Sequence, residues 1–281
     1  MTTRPARRFD QVDVFSPDLL GGNPLAVVHD ADGLDDEVLR RFAAWTNLSE
    51  TAFLLRPTDP RADYRVRILT PDEEFDFAGH PTLGSAQAWL AAGGTPRRDG
   101  VVVQECGIGL VEVRTDGERL SFTAPPLLRE EPLGPALRER LLRGLHLDGD
   151  RLVAGAHLDN GPGWVVVRVP DAATVLALDP DPAELAGLSV GVVGNHPAGH
   201  GCAVEVRAFS VSRDGRTLVE DPVTGSLNAA VGQWLGDLPD RYVAAQGARL
   251  GRRGRVHVVR EGGQVHVGGA ARVVVSGQVR L

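Results

Sequence analysis

The feature that most constrains this chain is a phrase written twice. FDFAGHPTLGSAQAWL, residues 75–90, lies over LVEDPVTGSLNAAVGQWL, residues 218–235, when shifted by 141 positions, half of the 281-residue length. At that shift His80 falls on Asp221, Pro81 on Pro222, Gly84 on Gly225 and Ser85 on Ser226. The same shift sets Gly22 on Gly163 and LAVV (25–28) on VVRV (166–169). A turn and helix repeated at half the chain length predicts two copies of one unit, and the length is ample for both.

Hydrophobic spacing fills in the first copy. FDQVDVF (9–15) alternates as a strand and a Gly-Gly-Asn-Pro turn leads into LAVVHD (25–30). GLDDEVLRRFAAWTN (33–47) reads as a helix, with Asp35 or Asp36 as N-cap and Val38, Leu39, Phe42 and Trp45 toward the core. Strands are expected at 51–56 and 64–69, a helix from Pro81 to about Ala92, and three short strands ending near 124. Leu83, Ala86, Ala88, Trp89, Leu90 and Ala91 cover most of that helix, as in a helix buried on all sides. PPLLREEPLGP (125–135) reads as a linker. The second copy carries strands at about 151–155, 164–169, 189–193, 203–210, 241–246, 255–260, 264–267 and 272–279, with a helix from about Pro222 to Leu235. The expected class is α+β, a sheet curled round one apolar helix in each half, divided as 1–124 and 125–271.

Composition removes several functions. A formal net charge of -7 offers no basic face for nucleic acid. All 30 cationic side chains are Arg, so no lysine Schiff base can form. MTTRPARRFDQVDVF has no apolar stretch of a signal peptide, and no apolar run is long enough to cross a membrane. With only Cys106 and Cys202 present, the expected compartment is the cytosol, with both thiols reduced.

Four motifs carry possible chemistry. Both repeated phrases place small residues before a helix, whose N-terminal N–H groups attract carboxylates, so Gly84, Thr224, Gly225 and Ser226 could cradle an anion. Glu50, at the mouth of the apolar strand TAFLL, is either a solvated strand-end group or a carboxyl held protonated near neutrality. NHPAGHGC offers His196, His200 and Cys202 at metal-like spacing, without the further ligands and orienting shell of a zinc site, so no metal is expected. GIGLVEV lacks the third glycine and the following helix of a dinucleotide site. Ser226 has no base near it in sequence and reads as a capping or ligand-binding hydroxyl.

DVFSPDLLGGNPLAVV, NLSETAFLL, RILTPDEEFDFAGHPTLGSA, EDPVTGS and QGARLGRRG occur in the order and spacing of the PhzF family, and the chain resembles these phenazine-biosynthesis isomerase-like proteins from about residue 9 onward. The resemblance implies a diaminopimelate epimerase-like fold: two pseudo-symmetric domains, each a curved mixed sheet around a central helix, with the active site between them. It further implies that residues 272–281 rejoin the first half, that the protein is a homodimer, and that no cofactor is needed. It makes Glu50 the acid–base, sets His80 and Asp221 beside the substrate, and gives Gly79, Gly225 and Ser226 its carboxylate. Leu69 and Leu227 depart from the family's usual Phe and Ala, near the expected cleft.

The leading reading is therefore an isomerase that moves a proton within a small cyclic or unsaturated amino-acid-like carboxylate, similar to trans-2,3-dihydro-3-hydroxyanthranilate isomerase. A racemase or epimerase on a related acid is a second enzymatic reading, and a non-catalytic dimeric small-molecule binder a third. A two-thiol racemase is disfavoured because neither 77–90 nor 220–228 contains Cys.

Overall fold

The computed structural model describes residues 5–281. In chain order the elements are β1 (Ala6–Val14), β2 (Asn23–Val28), α1 (Asp36–Thr46), β3 (Thr51–Leu55), β4 (Tyr64–Leu69), β5 (Glu74–Phe75), α2 (Gly79–Ala91), β6 (Val101–Cys106), β7 (Gly109–Asp116) and β8 (Arg119–Thr123). Next come β9 (Arg129–Pro132), α3 (Pro135–Gly144), β10 (Ala154–Asp159), β11 (Trp164–Val169), α4 (Ala172–Ala177), β12 (Ser189–Asn195), β13 (Val204–Val211) and β14 (Leu218–Asp221). The chain finishes with α5 (Gly225–Trp234), β15 (Arg241–Gln246), β16 (Gly254–Glu261) and β17 (Gln264–Arg280). The fold is mixed and strand-rich, in two compact units: one runs to Thr123 and takes up Gly268–Leu281, the other is Ala124–Val267. No helix among the described residues is long and apolar enough to cross a membrane.

In the first unit the pairings close on themselves. β1 pairs antiparallel with β2, β2 parallel with β3, β3 antiparallel with β4, and β4 parallel with β6. β7 and β8 continue antiparallel, and β17 joins β8 back to β1. Closure leaves no free edge in this ring of eight strands. α2 runs inside it, touching β1, β2, β3, β6, β7 and β8. Its residues from Gly79 to Ala86 are all buried, whereas Trp89 and Leu90 are only partly covered and Ala91 is exposed. Gly84 explains how a helix fits so close to the wall: a Cβ there would lie 2.5 Å from Leu25 Cδ2. Each fully buried Leu or Phe of this interior, such as Leu25, Leu83 and Phe122, contributes roughly 2 kcal/mol.

α1 covers the outer wall through Leu39, Phe42 and Ala43 against Val28, Phe53 and Leu69. Its N-cap is Asp35, whose carboxylate accepts from the Val38 N–H at 2.9 Å. Trp45 departs from the expected core position. It is 79% exposed, its ring stacked on Phe42 at 6.0 Å.

The turn after β1 is shaped by Asp13, whose two carboxylate oxygens accept from the Gly21 and Gly22 N–H groups at 3.1 and 2.9 Å. A Cβ on Gly22 would sit 2.0 Å from the Val14 carbonyl oxygen, so no other residue fits. β1 is also tied to β17 and β2 through buried Asp10, which accepts from Ser276 Oγ at 2.5 Å and meets His29 Nε2 at 2.7 Å.

The second unit runs the same series of pairings. β10 pairs antiparallel with β11, β11 parallel with β12, β12 antiparallel with β13, β13 antiparallel with β14 and parallel with β15, and β15 antiparallel with β16. α5 packs against β16 and β10, and α3 and α4 cover the other face with Leu141, Leu145, Val175, Val192 and Phe209.

The two series of pairings correspond element by element, but not at one sequence shift. Tyr64 pairs with Gln104 as Val204 pairs with Ala244, both 140 positions apart. The helices begin at Gly79 and Gly225, 146 apart, because β13 is two residues longer than β4 and its connection to α5 is four residues longer than that between β4 and α2. By element, Gly79 answers to Gly225 and His80 to Ser226; the 141-residue shift had matched Gly84 with Gly225 and His80 with Asp221. The expected linker also holds structure, since β9 pairs with β10 from Arg129↔Asp159 to Pro132↔Ala156. The helix expected from Pro222 starts three residues later, and the strand expected at about 151–155 is Ala154–Asp159. The two strands expected at 264–267 and 272–279 are one continuous β17.

Candidate active site

In the first unit Glu50 is the residue before β3 and His80 the second residue of α2, so a strand entrance and a helix start hold the two side chains together. Glu50 Oε2 lies 3.3 Å from His80 Nδ1, and the side chains are only 14% and 4% exposed. Glu50 is thus no solvated strand-end group. Burial drives the His80 pKa from 6.5 down to about 3, with the Pro24 carbonyl pulling weakly the other way. The ring is consequently neutral at physiological pH, and the contact is not an ion pair. A neutral imidazole thus stands against the carboxyl at 3.3 Å, with His80 Nε2 buried.

Gly79 opens α2 behind Ala78, which makes no side-chain cap bond, so no N-cap side chain answers the first-turn N–H groups. Gly84 lies in the second turn, inside the helix ladder and against Leu25. It packs the helix into the ring and does not belong to the anion cradle expected of it.

In the second unit the turn from β14 into α5 carries Asp221, Thr224, Gly225 and Ser226. Thr224 Oγ1 donates to Asp221 Oδ2 at 2.5 Å. Gln246, 1% exposed at the end of β15, latches this turn with its whole amide. Its Nε2 donates to the Asp221 carbonyl and to Thr224 Oγ1, and its Oε1 accepts from the Thr224 N–H and from Asn228 Nδ2. Thr224 is the N-cap of α5, but its side chain makes no cap bond, so the first-turn N–H groups again lack an internal side-chain acceptor.

Ser226 is neither a cap nor a nucleophile with a base. Its Oγ accepts from the Trp164 indole N–H at 3.1 Å, and its carbonyl accepts from Asn160 Nδ2 at 2.8 Å. Beside Asp221, Glu220 receives the buried Arg207 guanidinium as a fork at 2.9 and 2.8 Å. Arg207 also donates to the Val175 and Leu178 carbonyls. Sequence reasoning missed Gln246, Trp164, Asn160 and Arg207. Gln246 stood in the quoted QGARLGRRG, and an uncharged amide there carried no chemical signal of its own.

The NHPAGHGC loop holds no ligand set. His196 and His200 stack face to face at 3.8 Å, and His200 Nδ1 accepts from the Cys202 N–H. Among the described residues no group of three or more His, Cys, Asp or Glu side chains is arranged to hold a metal ion.

Glu50, His80 and Gly79 thus meet in one unit, while Asp221, Gly225 and Ser226 meet in the other. The chain is 37% identical over 292 residues to antisense-enhancing sequence 1 of Schizosaccharomyces pombe, covering 96% of this chain and 97% of that one. It is 34% identical to the trans-2,3-dihydro-3-hydroxyanthranilate isomerase of Pseudomonas aeruginosa, covering 91% of each. The crystal structure of a Bacillus anthracis phenazine biosynthesis protein of the PhzF family has the same fold, with a TM-score of 0.82 at 23% identity, covering 99% of this chain and all of that one. The family of phenazine biosynthesis-like proteins, PhzC-PhzF, matches residues 12–279, and the chain belongs to it.

Proposed function

We propose that this chain is a cofactor-independent isomerase that moves a proton between two carbons of a small cyclic or unsaturated amino-acid-like carboxylate. The observation that carries the reading is the shielded Glu50–His80 contact. Glu50 as carboxylate removes a proton from one carbon, holds it as the carboxylic acid, and returns it to another, so the reaction leaves protein and atom count unchanged. His80, neutral because it is buried, orients that carboxyl and accepts or donates a hydrogen bond without adding charge. Asp221, fixed through Thr224 and Gln246, faces polar groups of the substrate, and the first-turn N–H groups of Gly79, Gly225 and Ser226 take its carboxylate. In this proposal the two units are pseudo-symmetric copies of a diaminopimelate epimerase-like half, and the protein works as a homodimer, which its mass in sedimentation tests.

A chemical precedent among the named relatives is trans-2,3-dihydro-3-hydroxyanthranilate isomerase. A thiol-based racemase is a poorer fit. Cys106 ends β6 and Cys202 precedes β13, so neither lies in the turn that opens α2 or α5, and burial pushes both thiols above their ordinary pKa, away from the thiolate such an enzyme uses.

The test is proton exchange in deuterated water with trans-2,3-dihydro-3-hydroxyanthranilate as probe. The native protein is expected to place solvent deuterium in the isomerised product, and Glu50→Gln to reduce that rate at least about a thousandfold, as loss of a sole proton shuttle should. Deuterium uptake by Glu50→Gln at the native rate would overturn the assignment.

A further inference from the structure

The start of α5 is flanked by two polar groups that the protein itself leaves unanswered, and both trace to the turn between β10 and β11. Trp164 pairs with Leu158 where the strands part, and Asp159 Oδ1 accepts from the Gly161 and Gly163 N–H groups at 2.8 and 3.1 Å, which holds the turn in one shape. That turn delivers Asn160 and Trp164, 8% and 5% exposed, to Ser226.

The Trp164 contact fixes the polarity of the serine. An indole N–H can only donate, so Ser226 Oγ is the acceptor at 3.1 Å. The hydroxyl keeps its own proton for a second bond, and no acceptor for that proton stands among the described residues.

Asn160 is the converse case. Its Nδ2 is spent on the Ser226 carbonyl at 2.8 Å, and its Oδ1 is buried without a hydrogen-bond partner among the described residues. Turning the amide over gives no relief, because the Ser226 carbonyl needs a donor. The bond to Ser226 pins the amide plane against the first turn of α5, so Oδ1 lies beside that turn as well. A buried amide oxygen without a donor is costly, and the position calls for an N–H from a ligand.

The two groups ask for opposite things. The hydroxyl proton joins the first-turn N–H groups, which no N-cap side chain answers, in drawing an oxyanion. A plain carboxylate would satisfy them and leave Asn160 dry. A plain amine would satisfy Asn160 but meet the positive end of the helix.

We propose that Trp164 and Asn160 set the specificity of the α5 start for an amino-carboxylate: Trp164 makes the Ser226 hydroxyl a donor to the carboxylate, and Asn160 Oδ1 accepts from the neighbouring amino group. The assignment rests on the reading of this helix start as the carboxylate cradle. Trp164 is a positioning residue, acting only through Ser226.

Calorimetric titration of the full chain compares 2-aminobenzoate, benzoate and aniline. Native protein is expected to bind 2-aminobenzoate about tenfold more tightly than benzoate, and aniline more weakly than either carboxylate. Asn160→Leu should bring 2-aminobenzoate down to the affinity of benzoate and leave benzoate itself unchanged. Trp164→Phe keeps the aromatic bulk, loses the donor and should weaken both carboxylates about fivefold. On a Ser226→Ala background the same change should cost nothing more, since no hydroxyl remains to be oriented, whereas a merely structural role would add its full cost. Melting transitions check the fold of each variant, and the native ligand series needs no variant at all. Benzoate binding as tightly as 2-aminobenzoate, no binding of either carboxylate, an amino preference kept by Asn160→Leu, or a full further loss from Trp164→Phe on Ser226→Ala would each overturn the proposal. Binding needs no turnover, so the two readings separate. Native deuterium uptake without an amino preference sinks this assignment alone, and the preference without uptake sinks the isomerase reading alone.

Discussion

His80 shows how far one buried ring can couple pH to stability. Its pKa stands at about 3 in the fold against 6.5 in the open chain, so between those values the unfolded state holds a proton that the native state refuses. This residue's contribution is complete above pH 6.5, declines as the pH falls through that window, and stops changing below about 3. The slope is about 1.4 kcal/mol per pH unit at full effect. Denaturant titrations at a series of pH values are expected to show that slope in the native protein and a flatter one in His80→Asn. Arg207 poses the opposite case, a buried charge that is fully answered by Glu220, two carbonyls and the Phe209 ring 4.7 Å below. Arg207→Leu strands Glu220 and is expected to cost about 3 kcal/mol in chemical denaturation, with Asp221 losing its fixed position as β14 loosens.

At the scale of elements, each central helix is held near its start by a glutamine from the neighbouring strand. Gln104 of β6 donates to Thr82 of α2 and accepts from Tyr64; Gln246 of β15 grips Thr224, Asp221 and Asn228 at the start of α5. Gln246→Leu leaves several buried polar groups unanswered and is expected to lose roughly 2 kcal/mol of stability. It should also lower the proton-exchange rate with the relative's substrate more than the melting shift explains, whereas Gln246→Glu should recover part of it through the two acceptor contacts. These latches were invisible to pattern reading, because an amide mid-strand looks like an ordinary surface residue until its partners are seen. The helices themselves were legible, since few polar residues interrupt either one. Their starts were not: the 141-residue shift matched similar letters across a strand and connection that together are six residues longer in the second unit, and so moved the anion cradle to Gly84. Trp45 misled for a related reason. Helical spacing marks a stripe, but α1 buries only the part of it that meets Val28, Phe53 and Leu69.

Over the whole molecule, the first unit depends on a strand that arrives last. β17 lies between β1 and β8, and its Ser276 reaches Asp10 across 266 positions of chain. Removing residues 268–281 opens the ring and exposes two strand edges around α2. Amide exchange is expected to show β1, β2 and β8 unprotected in that truncated chain while β12, β13 and β15 keep their protection; uniform loss or uniform retention would contradict the division into units. The apolar, largely buried helices α2 and α5 were readable in the linear text. The expectation that residues 272–281 rejoin the first half came only through family resemblance, because nothing in an alternating strand names its partner.

That closure also sets an order of events during synthesis. As the chain leaves the ribosome, residues 5–123 emerge first yet lack their eighth stave, while Ala124–Val267 carries every strand of its own sheet. The half made second can therefore mature first, and the half made first must wait as an open, edge-exposed nascent sheet until Gly268 and its followers clear the exit tunnel. For that interval the older half is the one a chaperone should find.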